Sequence, residues 1–478
     1  MLDSAGGHRG SLSAQARKVV IGRVAAQPGT APHIGVSLGP DRSSAAVVCS
    51  AAVLSTVTVD GSDPDELLSR IAGACPQRPR RVIVDISRLL LAPLLSASSG
   101  LAAVTAIRVL PRAASDSSLG RHPNEVIERL VTRRFTVRGG HDLFGRELRP
   151  LDLRGISEVG GQIRQGSARC VAVVAAGSQA DPRHEREVAD ALQATMPDAQ
   201  ISVAHEFGSQ GLAAREATVI LNSALIPVAN QLLDDCNRVI ARVMPGAALH
   251  VSQGDGGWAN PWRIRTSPVL GLGALEALEL LGAATRAGVS SCRVLLDRPS
   301  SPVIGHVHNG LVSIQRDTLS EVGIQLAVPN VALTHTDVAP TTIPGTNRTS
   351  GPPGVTGAPG PSGASGTFLV EAAAAELDEL ACLGAAVSHP TAWIDEIASI
   401  RSRAELEVLR RDAQARATVI LTANGAAPGT AEVVEISTVA MPYSPSGTVR
   451  VRVRMAGAPD GASAARTPGD HREVEYLS

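Results

Sequence analysis

From His33 onward, short apolar runs alternate with glycine, proline and serine, in HIGVSLGPDRSSAAVVCSAAVLSTVTVDG, and this spacing predicts β-hairpins. DPDELLSRIAGAC (63–75) has an acidic start and helical spacing, whereas RRVIVDIS (80–87) is a short β-branched run that predicts a buried strand. Further along, the pattern predicts helices over 123–135, 184–198 and 275–288, and strands over 170–177, 200–208 and 292–297. Residues 215–244 carry apolar positions at helical spacing, with a break expected near Pro227. ALHVSQGDGG (248–257) reads as a strand running into a glycine turn. Near the C-terminus, 368–387 and 395–421 predict helices, and EVVEIST (432–438) and TVRVRVRMAG (448–457) predict strands. The strict alternation of the last implies an exposed arginine-bearing face. Strands alternating with helices define an α/β protein.

At 478 residues the chain is too long for one ordinary core. The patterning divides it into a loose tail (1–33), a first domain (34–190), a core domain (191–340), a linker (341–367), a C-terminal α/β part of the core (368–457) and a second loose tail (458–478). The linker holds GPPGVTGAPGPSGASG, whose few Gly-X-Y triplets are too short a run for a triple helix and mark a flexible connection.

Hydrophobic residues make up 44% of the chain but aromatics only 2%, so the core must be built from Ala, Val, Leu and Ile. A net charge of −1 gives no electrostatic case for nucleic acid or an anionic membrane. Lys18 is the only lysine, which removes lysine chemistry from everywhere else. Cys49, Cys75, Cys170, Cys236, Cys292 and Cys382 stand singly, so neither a zinc site nor a disulfide framework is expected. No apolar run of membrane-spanning length and no signal peptide are read, and the expected compartment is the cytoplasm.

Few residues carry chemistry on their own pattern. His306-x-His308 would point two imidazoles one way from a strand, with His335 as a third, but no carboxylate or cysteine completes a metal set, and a polar surface strand is the expectation. Arg215 and Glu216 fall at the expected start of the 215–244 helix, where a carboxylate favours the N-terminus. Trp258 and Trp262 read as packing residues, and there is no G-x-S-x-G elbow for serine hydrolysis. Asp255-Gly256-Gly257 and Asp297 follow predicted strands, as turn or site residues would.

Three segments, in this order and spacing, resemble the hydantoinase A/5-oxoprolinase family: VRGGHDLFGRELRPLD (137–152), HEREVADALQATMPDAQISVAHEFGSQGLAAREATVILNSALIP (184–227) and QGDGG (253–257). The likeness spans most of 34–340 and, more loosely, 368–457. It implies a duplicated, actin-like (ribonuclease H-like) two-lobed α/β fold, with mixed sheets flanked by helices. It also implies ATP-dependent opening of cyclic amides such as hydantoins or 5-oxoproline, with Mg–ATP as cofactor. A hydantoinase B-type subunit is the implied partner, and self-association is the other assembly considered.

The family's phosphate elements are eroded. Its first hairpin, Asp-x-Gly-Gly-Thr-x-Thr-Asp, matches Ser37-Leu38-Gly39-Pro40-Asp41-Arg42-Ser43-Ser44, which keeps one glycine and replaces both end acids with serine. The second matches Asp297-Arg298-Pro299-Ser300-Ser301-Pro302-Val303-Ile304, which keeps the leading acid and loses both glycines. A third element, Ser-Gly-Pro-Ala between Pro268-Val269 and Gly282-Ala283, matches Ala274-Leu275-Glu276-Ala277. The resemblance therefore leaves Gly39, Asp255, Gly256, Gly257 and Asp297 as nucleotide-binding candidates, with no catalytic residue identified. Two readings follow: a cyclic-amide hydrolase with degraded phosphate motifs, or a catalytically inactive structural or regulatory subunit.

Overall fold

The computed structural model describes residues 31–96, 100–112, 120–166, 169–208, 211–298, 301–315, 318–319, 323–335, 369–441 and 447–460. Lys18, Pro299, Ser300, the 341–367 linker, and nearly all of both predicted tails lie outside them.

The first sheet opens with an antiparallel meander of β1 (His33–Ser37), β2 (Arg42–Cys49) and β3 (Ala52–Asp60). Helix α1 (Pro64–Ala74) follows, begun by the Asp63 cap that the sequence signals. β4 (Arg81–Asp85) then runs parallel to β1 and leads into α2 (Ser87–Leu95).

A parallel four-stranded sheet is inserted next. It contains β5 (Val104–Leu110), α3 (Glu125–Leu130), β6 (Val131–Arg138), α4 (Leu153–Arg164), β7 (Cys170–Ala175), α5 (Arg183–Thr195) and β8 (Gln200–Val203), in the strand order β6-β5-β7-β8. The helix expected over 123–135 stops at Leu130. Val131, Thr132, Phe135 and Val137 favour extended backbone, and their strand pairs in parallel with β5.

The long α6 (Leu212–Val243) returns the chain to the first sheet, where β9 (Ala248–Ser252) and β10 (Trp258–Ala259) complete the order β10-β9-β4-β1-β2-β3. The expected break at Pro227 does not occur, and the proline sits inside α6. Val219, Ile220, Leu221, Ala224 and Leu225 are all buried, so the helix is held on nearly every side between the first sheet's helices and the inserted sheet. Tertiary packing overrides the missing N–H. By length and composition α6 could cross a membrane, as could the segment Pro268–Arg286, but 78% of each apolar window is buried inside the protein.

After α7 (Pro261–Thr266) and α8 (Ala274–Arg286), the first motif repeats. β11 (Cys292–Leu296), β12 (Val303–His308) and β13 (Leu311–Val312) form a second antiparallel meander. Small ladders follow, from β14 (Ile314–Gln315), β15 (Thr318–Leu319), β16 (Ile324–Gln325) and β17 (Asn330–Val331), and β18 (Leu333–His335) joins β12. β19 (Leu369–Ala372) lies parallel to β11 just as β4 lies parallel to β1. The 368–387 segment is therefore a strand followed by α9 (Leu377–Val387), not one helix.

A last three-stranded sheet has the order β20-β22-β21 and is covered by α10 (Arg403–Ala423). Its strands are β20 (Thr391–Ser399), β21 (Glu432–Ala440) and β22 (Thr448–Ala456). β20 takes the start of the segment expected to be helical from 395. The arginine face of β22 is largely covered: Arg450 pairs with Asp395 at 2.9 Å, Arg454 is 2% exposed, and Arg452 stays partly open.

The two meanders meet through their helices. Apolar residues of α8 pack with β11 and β12, while Cys382, Leu383 and Ala386 of α9 pack with Ala46 and Val48 of β2. Where α8 crosses α9, Gly282 faces the Leu380 carbonyl and Gly384 faces the Leu278 carbonyl, and Gly35 of β1 faces the Cys382 carbonyl. Any side chain at these three positions would overlap a backbone oxygen. All six cysteines are free, and Cys170, Cys236, Cys292 and Cys382 are buried, as expected of small hydrophobes.

Candidate functional site

The β1–β2 turn presents Gly39 between the two lobes, but its donor is already used. Gly39 N–H donates to Ser43 Oγ at 3.1 Å, and Ser43 Oγ donates in turn to the Gly61 carbonyl at 2.7 Å. Pro40 adds no donor. A Cβ on Gly39 would lie 2.8 Å from Arg88 Cζ, so the space that a glycine leaves open is taken by a guanidinium. Arg88 is fixed by Ser37 Oγ at 3.2 Å and Asp378 at 3.5 Å, and Arg42 reaches the same Asp378 at 3.5 Å.

Below Arg88, Asp85 is fully buried at the end of β4. It accepts from Ser37 Oγ at 3.0 Å and from Ser87 N–H at 2.9 Å. Burial pushes its carboxyl upward against the pull of Ser87, Arg88 and Ser37.

At the second hairpin the described residues stop at Arg298 and resume at Ser301. Asp297 ends β11, exposed, with its N–H donating to the Ala372 carbonyl at 2.9 Å. Its neighbour Arg298 pairs with Glu279 and, at 3.4 Å, with Glu276, both on α8. Burial pushes the Glu279 carboxyl up to about 8, with Arg298 opposing and Glu276 reinforcing the shift, and the Arg88 charge reaches it as well. Arg42, Arg88 and Arg298 thus face Asp378, Glu276 and Glu279 across the junction of the two motifs.

Glu279 keeps its proton to about 8 when folded and releases it near 4.5 when unfolded, so its contribution makes stability decline as pH rises from about 4.5 to about 8 and level off above. Glu279→Gln is expected to flatten that decline. Urea midpoints measured across the window for both proteins check this, and parallel curves would refute it.

Asp255, Gly256 and Gly257 form a closed joint on another flank of α8. Asp255 Oδ1 accepts from Gly257 N–H and from Thr391 Oγ1, each at 3.0 Å, and Gly256 takes a φ of +82°. A Cβ at Gly256 would meet Val312, Leu281 and Ala277, and at Gly257 it would strike Thr391. Arg454 Nη2 donates to the Asp255 carbonyl at 2.6 Å and Nη1 to the Val312 carbonyl at 2.7 Å, which ties the turn to β22. The cleft beside it, bordered by Gly254, Arg263, Trp393 and Asn424, is about 50 Å³, against roughly 300–1,000 Å³ for pockets that enclose a small ligand.

The remaining candidates resolve as structure. His306 and His308 share one exposed face of β12, and among the described residues no cluster suited to a metal is found. Trp258 is buried and donates to the Ser388 carbonyl at 3.0 Å, while Trp262 is exposed. Arg215 and Glu216 do not cap α6, which starts at Leu212. Glu216 grips Arg108 of β5 through two bonds of 2.7 and 2.8 Å, and Arg215 donates to Ser178 Oγ at 2.5 Å. The sequence reading missed Arg88, Asp85, Asp378, Glu279 and Arg298. The signal available was a charged residue at or just past the end of each of two buried strands, Asp85 with Arg88 and Asp297 with Arg298.

Mg–ATP therefore does not fit the first hairpin as built. The Gly39 backbone donor is consumed and its open face covered, and the nearby Asp378 is engaged by arginines.

Two meanders, each with a parallel strand beside its first member and joined through crossed helices, define the duplicated actin-like two-lobed α/β fold. Residues 115–196 match the hydantoinase/oxoprolinase N-terminal region. Among solved structures, the chain is similar to an ATP-dependent caprolactamase from Pseudomonas jessenii, with a TM-score of 0.65 and 12% identity over 89% of this chain and 87% of that one. It also matches a nucleotide-free acetone carboxylase, with a TM-score of 0.48 and 13% identity over 64% of this chain and 47% of the other, a likeness too slight to use. No curated protein matches. The chain thus shares the family's N-terminal region over residues 115–196 and the fold of an ATP-dependent caprolactamase.

Proposed function

We propose that this chain is a non-catalytic member of its family, a structural or regulatory subunit that does not bind Mg–ATP at the inter-lobe hairpins. The observation that carries the reading is Arg88, held by Ser37 and Asp378 against the open face of Gly39. A phosphate there would have to displace a guanidinium from its partners and find donors in a turn that has spent them. Arg298 supports the same conclusion at the second hairpin, where it engages Glu276 and Glu279. The subunit role calls for the larger B-type chain as partner, which co-expression followed by size-exclusion chromatography would reveal as a shared peak.

The competing reading, a working hydrolase of cyclic amides, rests on the family and on a fold shared with an ATP-dependent caprolactamase. Calorimetric titration with Mg–ATP separates the two. The proposed role predicts no saturable heat and no ATPase turnover. Tight binding, or turnover that disappears in Asp297→Ala, would overturn it.

A further inference from the structure

At the far end of β1 from the Gly39 turn, four basic side chains converge, with no acid acting on them among the described residues. His33 and Arg81 open β1 and β4 and stand opposite each other in the parallel register, with Arg81 Nη2 3.1 Å from His33 Nε2. On the next strand His250 pairs with Ile83, which places it on the same face as Arg81. His250 stacks on Trp258, with ring centroids 3.9 Å apart. His389 follows α9, and its carbonyl accepts from Trp258 N–H at 3.1 Å.

Among the described residues, the charges acting on these groups are arginines: Arg81 on all three rings, Arg80 on His33 and on Arg81 itself. The Nδ1 atoms of His33, His250 and His389 are buried and have no hydrogen-bond partner among the described residues. Buried polar atoms are normally satisfied, and three unsatisfied ring nitrogens around one guanidinium need an explanation. We propose that this edge of the first sheet, formed by His33, Arg81, His250 and His389, binds a phosphate-sized oxyanion.

The chemistry is complementary. An oxyanion offers several acceptor lone pairs, which a guanidinium fork and imidazole N–H groups meet as charge-assisted bonds. Arg81, His33 and His389 each keep part of their surface exposed while the Nδ1 atoms are covered, so an anion entering from solvent displaces a ring edge to reach them.

The histidines also set the pH dependence. Burial first, then the arginines, lowers His33 to about 4, His250 to about 3 and His389 to about 4 from an ordinary 6.5. Rings that stay neutral when folded but charge when unfolded make the protein lose stability as pH falls from 6.5 towards about 4. A bound anion favours the charged rings, so it binds more tightly as pH falls and offsets that loss.

The test is calorimetric titration of the full chain with inorganic phosphate, at constant ionic strength, from alkaline to mildly acidic pH. A parallel titration with glycerol phosphate distinguishes free phosphate from a phosphate ester as the source: a site that takes both has an open mouth, and one that takes only the inorganic ion is closed. Saturable binding is expected to tighten by about tenfold for each unit by which the anion raises a ring. It should be abolished in Arg81→Gln, and weakened with a flatter pH profile in His389→Gln. It should persist in Arg88→Gln, which keeps the outcome separate from that of the Mg–ATP experiment. The absence of saturable binding in the unaltered protein would overturn the proposal, as would unchanged binding in a folded Arg81→Gln. If Arg81→Gln does not fold, unchanged affinity and pH profile in His389→Gln overturns it instead.

Discussion

Gly384→Ala is expected to destabilise the protein by about 3 kcal/mol or more, among the largest effects available to a single methyl group. The new Cβ would overlap the Leu278 carbonyl oxygen of α8, and backbone on a crossing helix cannot turn aside as a side chain can. Gly282→Ala meets the Leu380 carbonyl in the reciprocal position and should behave alike, so the two changes report on one joint. Gly73→Ala in α1 is the control. Nothing lies within 4 Å of its Cβ, and alanine's higher helix propensity should raise stability by up to about 1 kcal/mol. Denaturant unfolding of the three variants checks the prediction, and a Gly384→Ala midpoint close to that of the unaltered protein would show that the helices can separate.

The second large effect falls on Asp255. Asp255→Ala is expected to cost about 3 kcal/mol, because it removes the acceptor of the Gly257 and Thr391 bonds and leaves Arg454 buried beside an apolar group. Asp297→Ala, at an exposed strand end, should change stability by no more than about 0.5 kcal/mol. Thermal melts of the pair decide whether the Asp-Gly-Gly turn is a joint of the fold. Equal and small shifts would return Asp255 to the list of ligand-binding candidates.

Those two aspartates illustrate how much the sequence disclosed. Both follow apolar strands, and nothing in their local pattern separates a locked turn from a free one. The difference comes from Thr391 and Arg454, which lie far along the chain. Strand and helix order was legible wherever side-chain period and punctuation agreed, as at the Asp63 cap of α1 and the β-branched run of β4. It failed where they conflicted. Val131–Arg138 continues a helical pattern into a strand because its partner β5 lies beside it, and α6 runs through Pro227 because burial on most sides outweighs one missing bond. The exposed arginine face expected of β22 is largely covered because Asp395 engages Arg450 and Arg452, and the Asp255 turn and Val312 engage Arg454.

At the hairpins, the losses of glycine and acid were visible in the chain, but what replaced them was not. Arg88 sits in a helix the apolar pattern did not announce, and Asp378 and Glu279 reach it from α9 and α8. Reading a substitution as loss alone overlooks the side chain that moves into the space.

Arg88 also makes the eroded first hairpin difficult to restore. Opening the first hairpin to a phosphate would require moving the Arg88 guanidinium off Gly39, leaving the half-buried Asp378 with Arg42 as its remaining arginine. Each single step back toward a phosphate loop would therefore pass through a less stable protein before any ligand could reward it. The pairs of Arg42 and Arg88 with Asp378 thus act as a latch, tying the first meander to the helix that follows the second.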